Sequence, residues 1–493
     1  MHISQSSAVP AFRNATLMER TPMFRTLRRL TVAWLRAAEN VALFVGRRPW
    51  KIDKFSRLIQ PDIQAAARSI GSARVVVGIP FHKEAGNIGT LVATTQRDLE
   101  ARMQDAAIVV VGERRTRPIL IDAHLPPSSA CVKVVTFFKP FGFAQRPGLT
   151  RRSWSHWAIL QVANRLRADV VFIDADVRNS EGWVNRYLDA IQQRGAGVAV
   201  ANYVRRFDED DAIVHIWDRL IFGAVFRKWI AFRHGGDYAI SHKLLQGILD
   251  DVSIMRERAY TMDSAVMAHV VRRGGRIEAV WLGAKEHEPI STRNLFNRLP
   301  DLVHSVFDDV DRHLSVVRKL APGNIAIQPP EIPAAPMRMR DLIGSGFRQD
   351  LHRDMASRFH ASAQDIRKTL GLEACQRFAA IADQPLAEQV FLSPSHWANA
   401  TIRFLARYVR SRDPATKSRL ARACVPVLEA GILGFLNRTC DLMYAEAFAY
   451  LDAEYQPVFQ HTWDSLSRRL VLYRLALLRR WPARALRRLG RRD

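Results

Sequence analysis

Between about residues 72 and 285 the chain alternates short, apolar, β-branched runs with stretches of helical periodicity. The runs cover 74–80, 107–112, 132–138, 169–173, 197–204 and 276–282. Runs that are apolar throughout suit strands buried on both faces, and the patterns between them, such as 88–104 and 153–167, suit covering helices. This alternation predicts an α/β domain with a mostly parallel sheet. Such sheets take their ligands beyond the carboxyl ends of the strands. The loops that follow the first and fourth runs therefore belong to one rim.

The strand signal stops after residue 295. The pattern over 299–320 reads as a helix, 322–336 as a linker containing Pro329, Pro330 and Pro333, and 340–465 as helical, with long segments near 393–410 and 416–453. The expected organisation is a basic helical extension over 1–70, the α/β domain over 71–295, a helix and proline-rich linker over 296–340, an all-α domain over 341–465 and a basic amphipathic tail over 466–493. Hydrophobic residues at 48% and charged residues at 25% give a globular chain with a real core. The four cysteines, Cys131, Cys375, Cys424 and Cys440, form no CxxC pair, so neither a zinc knuckle nor a disulfide framework is suggested. A reducing, cytoplasmic setting is expected.

The net charge of +25 sits largely at the ends: residues 1–50 carry +6 and residues 468–493 carry +9. Met23, Leu27, Leu30, Trp34, Ala38, Val41 and Val45 recur at helical spacing among arginines, and Leu470, Leu472, Tyr473, Leu477, Trp481, Leu486 and Leu489 repeat the design. Basic helices with such anchors suit an anionic membrane surface, which would place the chain on the inner face of a membrane. A docking helix with a solvated arginine face and a nucleic-acid contact are the other readings, and no nucleic-acid partner is expected. No run reaches the ~18–20 uninterrupted apolar residues needed to span a bilayer. The first residues do not show the pattern of a signal peptide.

The chemistry points to Asp174-Ala175-Asp176, which closes the apolar run Val170-Val171-Phe172-Ile173. Two carboxylates where a buried strand opens into a loop suit a hard divalent cation, Mn²⁺ or Mg²⁺, able to hold a diphosphate leaving group. The plainer reading is a strand end whose acids help to cap the next helix, with Ser180 as N-cap ahead of Glu181 and Trp183. Four further elements follow the same rim logic. Pro80-Phe81-His82-Lys83-Glu84 follows the first strand and offers a carboxylate to a ribose or base edge. Gly112-Glu113-Arg114 follows the second and puts Glu113 near a base pocket. Arg146-Pro147-Gly148, Arg151 and Arg152 precede a helix and offer donors to phosphate oxygens. Last come Gly235-Gly236-Asp237-Tyr238, Asp263 and Lys285-Glu286-His287, where His287 can complete an O/N metal shell with Asp174 and Asp176.

This ordered set resembles the mannosylglycerate synthase family of retaining glycosyltransferases, which have the GT-A fold. The family's P-F-x-x-E compares with Pro80 to Glu84, its D-A-D with Asp174 to Asp176, its G-G-E with Gly235-Gly236-Asp237, its late-helix Asp with Asp263, and its G-K-A-H with Gly283 to His287. The resemblance implies that Asp176 and His287 hold the metal and that Asp174 touches metal or ribose. Pro80, Glu84, Glu113 and Arg151 would line the nucleotide-sugar site, Arg206, Gly236 and Asp237 the acceptor side, and Asp263, with Asp176, would act at the reacting centre. It also implies self-association through the helical domain. The implied reaction moves a hexose from a sugar nucleotide such as GDP-mannose to a small acidic acceptor such as glycerate. Retention is explained in this family by a front-face displacement that relies on leaving-group stabilisation and positioning. Departures alter the picture. Leu149 stands where the family has a diphosphate-binding lysine, and His215 and Ile290 stand where it has a threonine and a tyrosine. Gly236-Asp237-Tyr238-Ala239 is also similar to the G-E-Y-A of glucosyl-3-phosphoglycerate synthases, so a phosphorylated or lipid-headgroup acceptor stays open, as does a scaffold without turnover.

Overall fold

The computed structural model describes residues 50–470, apart from the segments 82–85, 103–104, 114–124, 140–150, 205–215, 230–235, 252–253, 255–261, 288–298, 321–322, 325, 328–337, 344–345 and 386–391. The chain divides into two compact units, Met1–Leu58 and Ile59–Asp493. Of the first, only the helical backbone from residue 50 is described, as the beginning of the helix Trp50–Ile70. The terminal segments 23–45 and 471–489 lie outside the described residues. Leu470 is described, and it is fully buried, so it does not serve as a surface anchor.

In the second unit the six apolar runs form β1 (Val75–Pro80), β2 (Ala106–Glu113), β3 (Val132–Lys139), β4 (Asp169–Phe172), β5 (Val198–Val204) and β8 (Ile277–Ala284). Short strands join them: β6 (Lys228–Trp229), β7 (Tyr238–Ile240), β9 (Gly323–Asn324) and β10 (Ala326–Ile327). Eight strands make one sheet in the order β10-β8-β5-β7-β4-β1-β2-β3, and β6 pairs with β9. Every neighbour in the large sheet is parallel except β7, which runs antiparallel to β4 on one side and β5 on the other. The mixed α/β class follows the strand–helix alternation, as expected. The two-residue strands β9 and β10 correct the expectation of a bare linker over 322–336, since β10 pairs with β8 at the edge of the sheet.

Both faces of the sheet are covered. Val75, Val77, Ile79, Ile108, Val110, Val171 and Ile173 pack on one face with Ile88, Leu91, Val92, Val184 and Leu188 from the helices Ile88–Ala101 and Trp183–Leu188. On the other face the helix Arg151–Leu166 comes so close to β1 that a Cβ on Gly78 would lie 2.4 Å from Ile159 Cγ2. Close approach of a helix to a central strand is the physical reason for a glycine here.

The helical remainder begins with Leu299–Val317, shorter than the expected 299–320 and kinked at His313. The long pattern over 416–453 divides into Pro414–Thr439 and Tyr444–Tyr450. Between them the chain turns, and Leu442 O and Cys440 O accept the N–H groups of Met339 and Arg340. By length and composition Pro414–Thr439 is apolar enough to cross a membrane, yet 89% of its most apolar window is buried inside the protein, which suits a core helix. Arg219 forms a two-pronged ion pair with Asp452, and Arg227 pairs with Asp464, joining the α/β part to the last helices.

A buried carboxylate in this helical core gives a testable pH dependence. Glu429 is fully buried on Pro414–Thr439; its Oε1 accepts a hydrogen bond from Arg358, while its Oε2 meets no partner among the described residues. Burial pushes its carboxyl up to about 8, against a partial opposing pull from Arg358. The folded chain then keeps a proton on Glu429 that the unfolded chain releases near pH 4.5. Stability from this group is complete below the unfolded value and is lost as pH rises through about 8. The unfolding free energy from urea titration is expected to fall between pH 5 and pH 8, by about 1.4 kcal/mol per pH unit at most. Glu429→Gln should flatten that slope, and an unchanged slope would reject the assignment.

Candidate active site at the strand ends

The antiparallel strand β7 builds the site. Phe172, the last residue of β4, pairs with Tyr238, the first of β7. Asp237 precedes Tyr238, so the reversed direction of β7 brings it to the rim where β4 delivers Asp174. Gly236 allows the approach by adopting φ +77°, a conformation that L side chains rarely take. Asp237 Oδ1 then accepts the Asp174 N–H at 2.8 Å. The Asp174–Val177 turn is shaped from a third direction. Asn87, just before the helix Ile88–Ala101, donates its Nδ2 to Ala175 O at 2.9 Å and to Val177 O at 2.7 Å.

Lys285 enters from the end of β8. Its ammonium is 2.5 Å from Asp237 Oδ2 and 3.4 Å from Asp174 Oδ2. It also stands 5.3 Å from the centre of the Tyr203 ring, while the Tyr203 hydroxyl donates to Asp237 Oδ2 at 3.3 Å. The Asp237 side chain is 0% exposed, that of Lys285 3% and that of Asp174 17%. Burial raises the Asp237 carboxyl above the usual carboxylate range; Lys285 pulls it back and the charge of Asp174 adds to the rise. Beneath lies Tyr187, fully buried and raised well above an ordinary phenol by desolvation, then by Asp237. Its hydroxyl meets no partner among the described residues. Behind β4, His156 stacks on Phe172 with 4.4 Å between ring centres and places Nδ1 2.9 Å from the Tyr238 hydroxyl.

The loops after β4 and β8 are tied to each other directly. Arg178 N donates to Glu286 O at 2.8 Å. Asn179 Nδ2 donates to Ala284 O at 2.6 Å, and Glu286 N donates back to Asn179 Oδ1 at 2.9 Å. Asp176 and His287, both partly exposed, are thus carried on two loops that meet at one rim. Two carboxylates and an imidazole are a donor set that suits Mn²⁺ or Mg²⁺. Among the described residues, no three His, Cys, Asp or Glu side chains form a group set to hold an ion. The set is distributed over two loops, with Lys285 beside Asp174.

Other expected site residues have mixed outcomes. Pro80 ends β1 opposite Val111, and buried Phe81 fills the space over Gly112, where a Cβ would lie 2.2 Å from the Phe81 ring. Glu84 and Arg206 lie outside the described residues, as do Arg146, Leu149, His215 and Ile290; for Glu113 and Arg151 only the backbone is described, at the end of β2 and the start of the helix Arg151–Leu166. Asp263 is buried in the first turn of the helix Met262–Arg272, where its Oδ1 accepts the Ser264 N–H at 2.8 Å. Asp237, expected on the acceptor side, has both of its oxygens engaged by the protein, Oδ1 by the Asp174 N–H and Oδ2 by Lys285 and the Tyr203 hydroxyl. Ser180 does not cap the following helix; the N-cap of Trp183–Leu188 is Gly182, at φ +72°. Motif reasoning assigns no role to Tyr203, Asn179, Asn87 or Lys285. A lone lysine between an apolar strand and an acid was the one visible signal among these.

No protein-family model matches the chain, and no curated protein does. Among solved structures, a mycobacterial protein is 17% identical with a TM-score of 0.37, over 51% of this chain and 78% of that one. Glucosyl-3-phosphoglycerate synthase from Mycobacterium tuberculosis, in complex with Mn²⁺, UDP and phosphoglyceric acid, is 16% identical with a TM-score of 0.36, over 53% of this chain and 84% of that one. The same enzyme with Mg²⁺ and UDP is 17% identical with a TM-score of 0.33, over 52% of this chain and 83% of that one.

Proposed function

We propose that this chain is a metal-dependent glycosyltransferase that uses a sugar nucleotide. One observation carries the reading: the Asp174–Asp176 loop and the loop bearing His287 are bonded to each other at the carboxyl ends of β4 and β8. That rim is where a mostly parallel sheet presents its ligand site. Asp176 and His287 are the residues that would hold the divalent ion, with Asp174 at its side. When bound, the ion supplies positive charge to the diphosphate as the sugar leaves.

The residues of the chain have separate tasks. Asp237 anchors the Asp174 backbone, Asn87 curves the turn, and Lys285 offsets the buried negative charge. Asp263 is assigned to the reacting centre by sequence resemblance. The similarity of Gly236-Asp237-Tyr238-Ala239 to G-E-Y-A supports a small acidic, phosphoglycerate-like acceptor over glycerate itself.

Isothermal titration of UDP and of GDP, each with and without Mn²⁺, tests the reading. One nucleotide is expected to bind in the metal-dependent mode, tightening at least tenfold when Mn²⁺ is present. No metal-dependent binding of either nucleotide would reject it. Mass spectrometry of UDP-glucose, GDP-glucose and GDP-mannose against glycerate and phosphoglycerate then identifies the product.

A further inference from the structure

We infer that Lys285 and Asn179 are positioning residues that hold the two loops of the ion site in register with each other. The inference rests on the metal-dependent reading above and concerns how its two half-sites are held in register. One half, Asp174 and Asp176, follows β4; the other, His287, follows β8, and no backbone ladder joins β4 to β8 because β7 and β5 stand between them. Register between the halves depends on contacts beyond the sheet. Two are built from side chains. Asn179 closes a two-way amide bridge, donating to Ala284 O at 2.6 Å and accepting from Glu286 N at 2.9 Å. Lys285, 3% exposed, sits 2.5 Å from Asp237 Oδ2 and 3.4 Å from Asp174 Oδ2, while Asp237 Oδ1 holds the Asp174 N–H.

The two contacts flank the candidate ligands. Asn179 lies three residues beyond Asp176, and Lys285 lies two residues before His287. Neither side chain is offered as a ligand. An ammonium cannot accept a metal bond, and both the Asn179 Oδ1 and its Nδ2 are occupied by the opposite loop. Lys285 also lets Asp174 and Asp237 approach without a dication between them, since its charge faces both carboxylates. Partners of this kind behind metal ligands change metal affinity by roughly 10–100-fold when removed.

The test is Mn²⁺ binding alone, read from loss of the free-ion electron paramagnetic resonance signal, together with urea midpoints. Asn179→Ala removes a partly exposed bridge. The double variant Asp237→Asn with Lys285→Met removes the ion pair without changing net charge and leaves an amide oxygen for the Asp174 N–H. Each variant, measured on folded protein, is expected to bind Mn²⁺ at least tenfold more weakly than the wild type. A merely structural role would lower the midpoint and leave the affinity of the folded fraction unchanged. Affinity equal to wild type in folded Asn179→Ala overturns the inference, and that variant decides alone if the double variant fails to fold. If the wild type itself binds no Mn²⁺, the metal-dependent reading falls and this inference falls with it; equal binding by all three proteins removes only the positioning role.

Discussion

Replacing Asp176 by alanine is expected to cut glycosyl transfer by about 10³-fold and to remove the Mn²⁺ dependence of nucleotide binding. The size follows from the charge that a bound ion delivers to a departing diphosphate, worth several kcal/mol, with about 1.4 kcal/mol for each factor of ten. Folding should hardly change. Asp176 is partly exposed and lies on a turn whose shape is held by Asn87 and Asp237. Its neighbour Asp174 carries like charge, so truncation also removes some repulsion. The measurements are turnover by mass spectrometry, nucleotide titration with and without Mn²⁺, and the urea midpoint. A variant that keeps more than about a tenth of wild-type turnover would remove Asp176 from the reaction, since the expected loss is about 10³-fold.

Lys285→Met alone should have the opposite profile, with stability as its main loss. The substitution preserves chain length and leaves Asp237 buried at 0% exposure without its closest cation. Breaking one side of a buried ion pair costs about 3–5 kcal/mol, since the remaining charge has neither water nor a partner. Here the Asp174 N–H and the Tyr203 hydroxyl still bond to Asp237, which places the expected loss near the lower end, about 3 kcal/mol. Adding Asp237→Asn should restore most of it. A single variant as stable as wild type at pH 7 would show that Asp237 is already neutral in the folded chain, and that Lys285 is not its counter-charge.

The large strands were legible in the sequence because β-branched apolar runs of five residues or more have few other uses in an alternating chain. β7 was not. Tyr238–Ile240 has three residues, and its place between β4 and β5 is set by pairing on both sides rather than by its own pattern. The contacts of Asp237 with Asp174 and Lys285 were hidden for the same reason. Motif spacing puts an acid beside the rim, but only the reversed strand decides whether it faces the cleft or the interior. Lys285 has no partner legible in the sequence until Asp237 is placed against it. The helix break after Thr439 was hidden because the apolar pattern continues through it, while the turn is defined by bonds to distant Met339 and Arg340. Asp174-Ala175-Asp176 and His287 were legible as strand-end residues, and the structure carries them on two loops that are bonded to each other.

The central pair also sets an order of events as the chain is made. Asp174 leaves the ribosome 111 residues ahead of Lys285, and Asp237 leaves 48 residues ahead of it. At roughly 5–20 residues per second, the acids wait between about 2 and 20 s for their cation. Until it arrives, inserting the central antiparallel strand would bury Asp237 without its cation. Nascent chains halted before residue 285 are therefore expected to leave β7 unpaired, with β10 at the edge of the sheet still to follow.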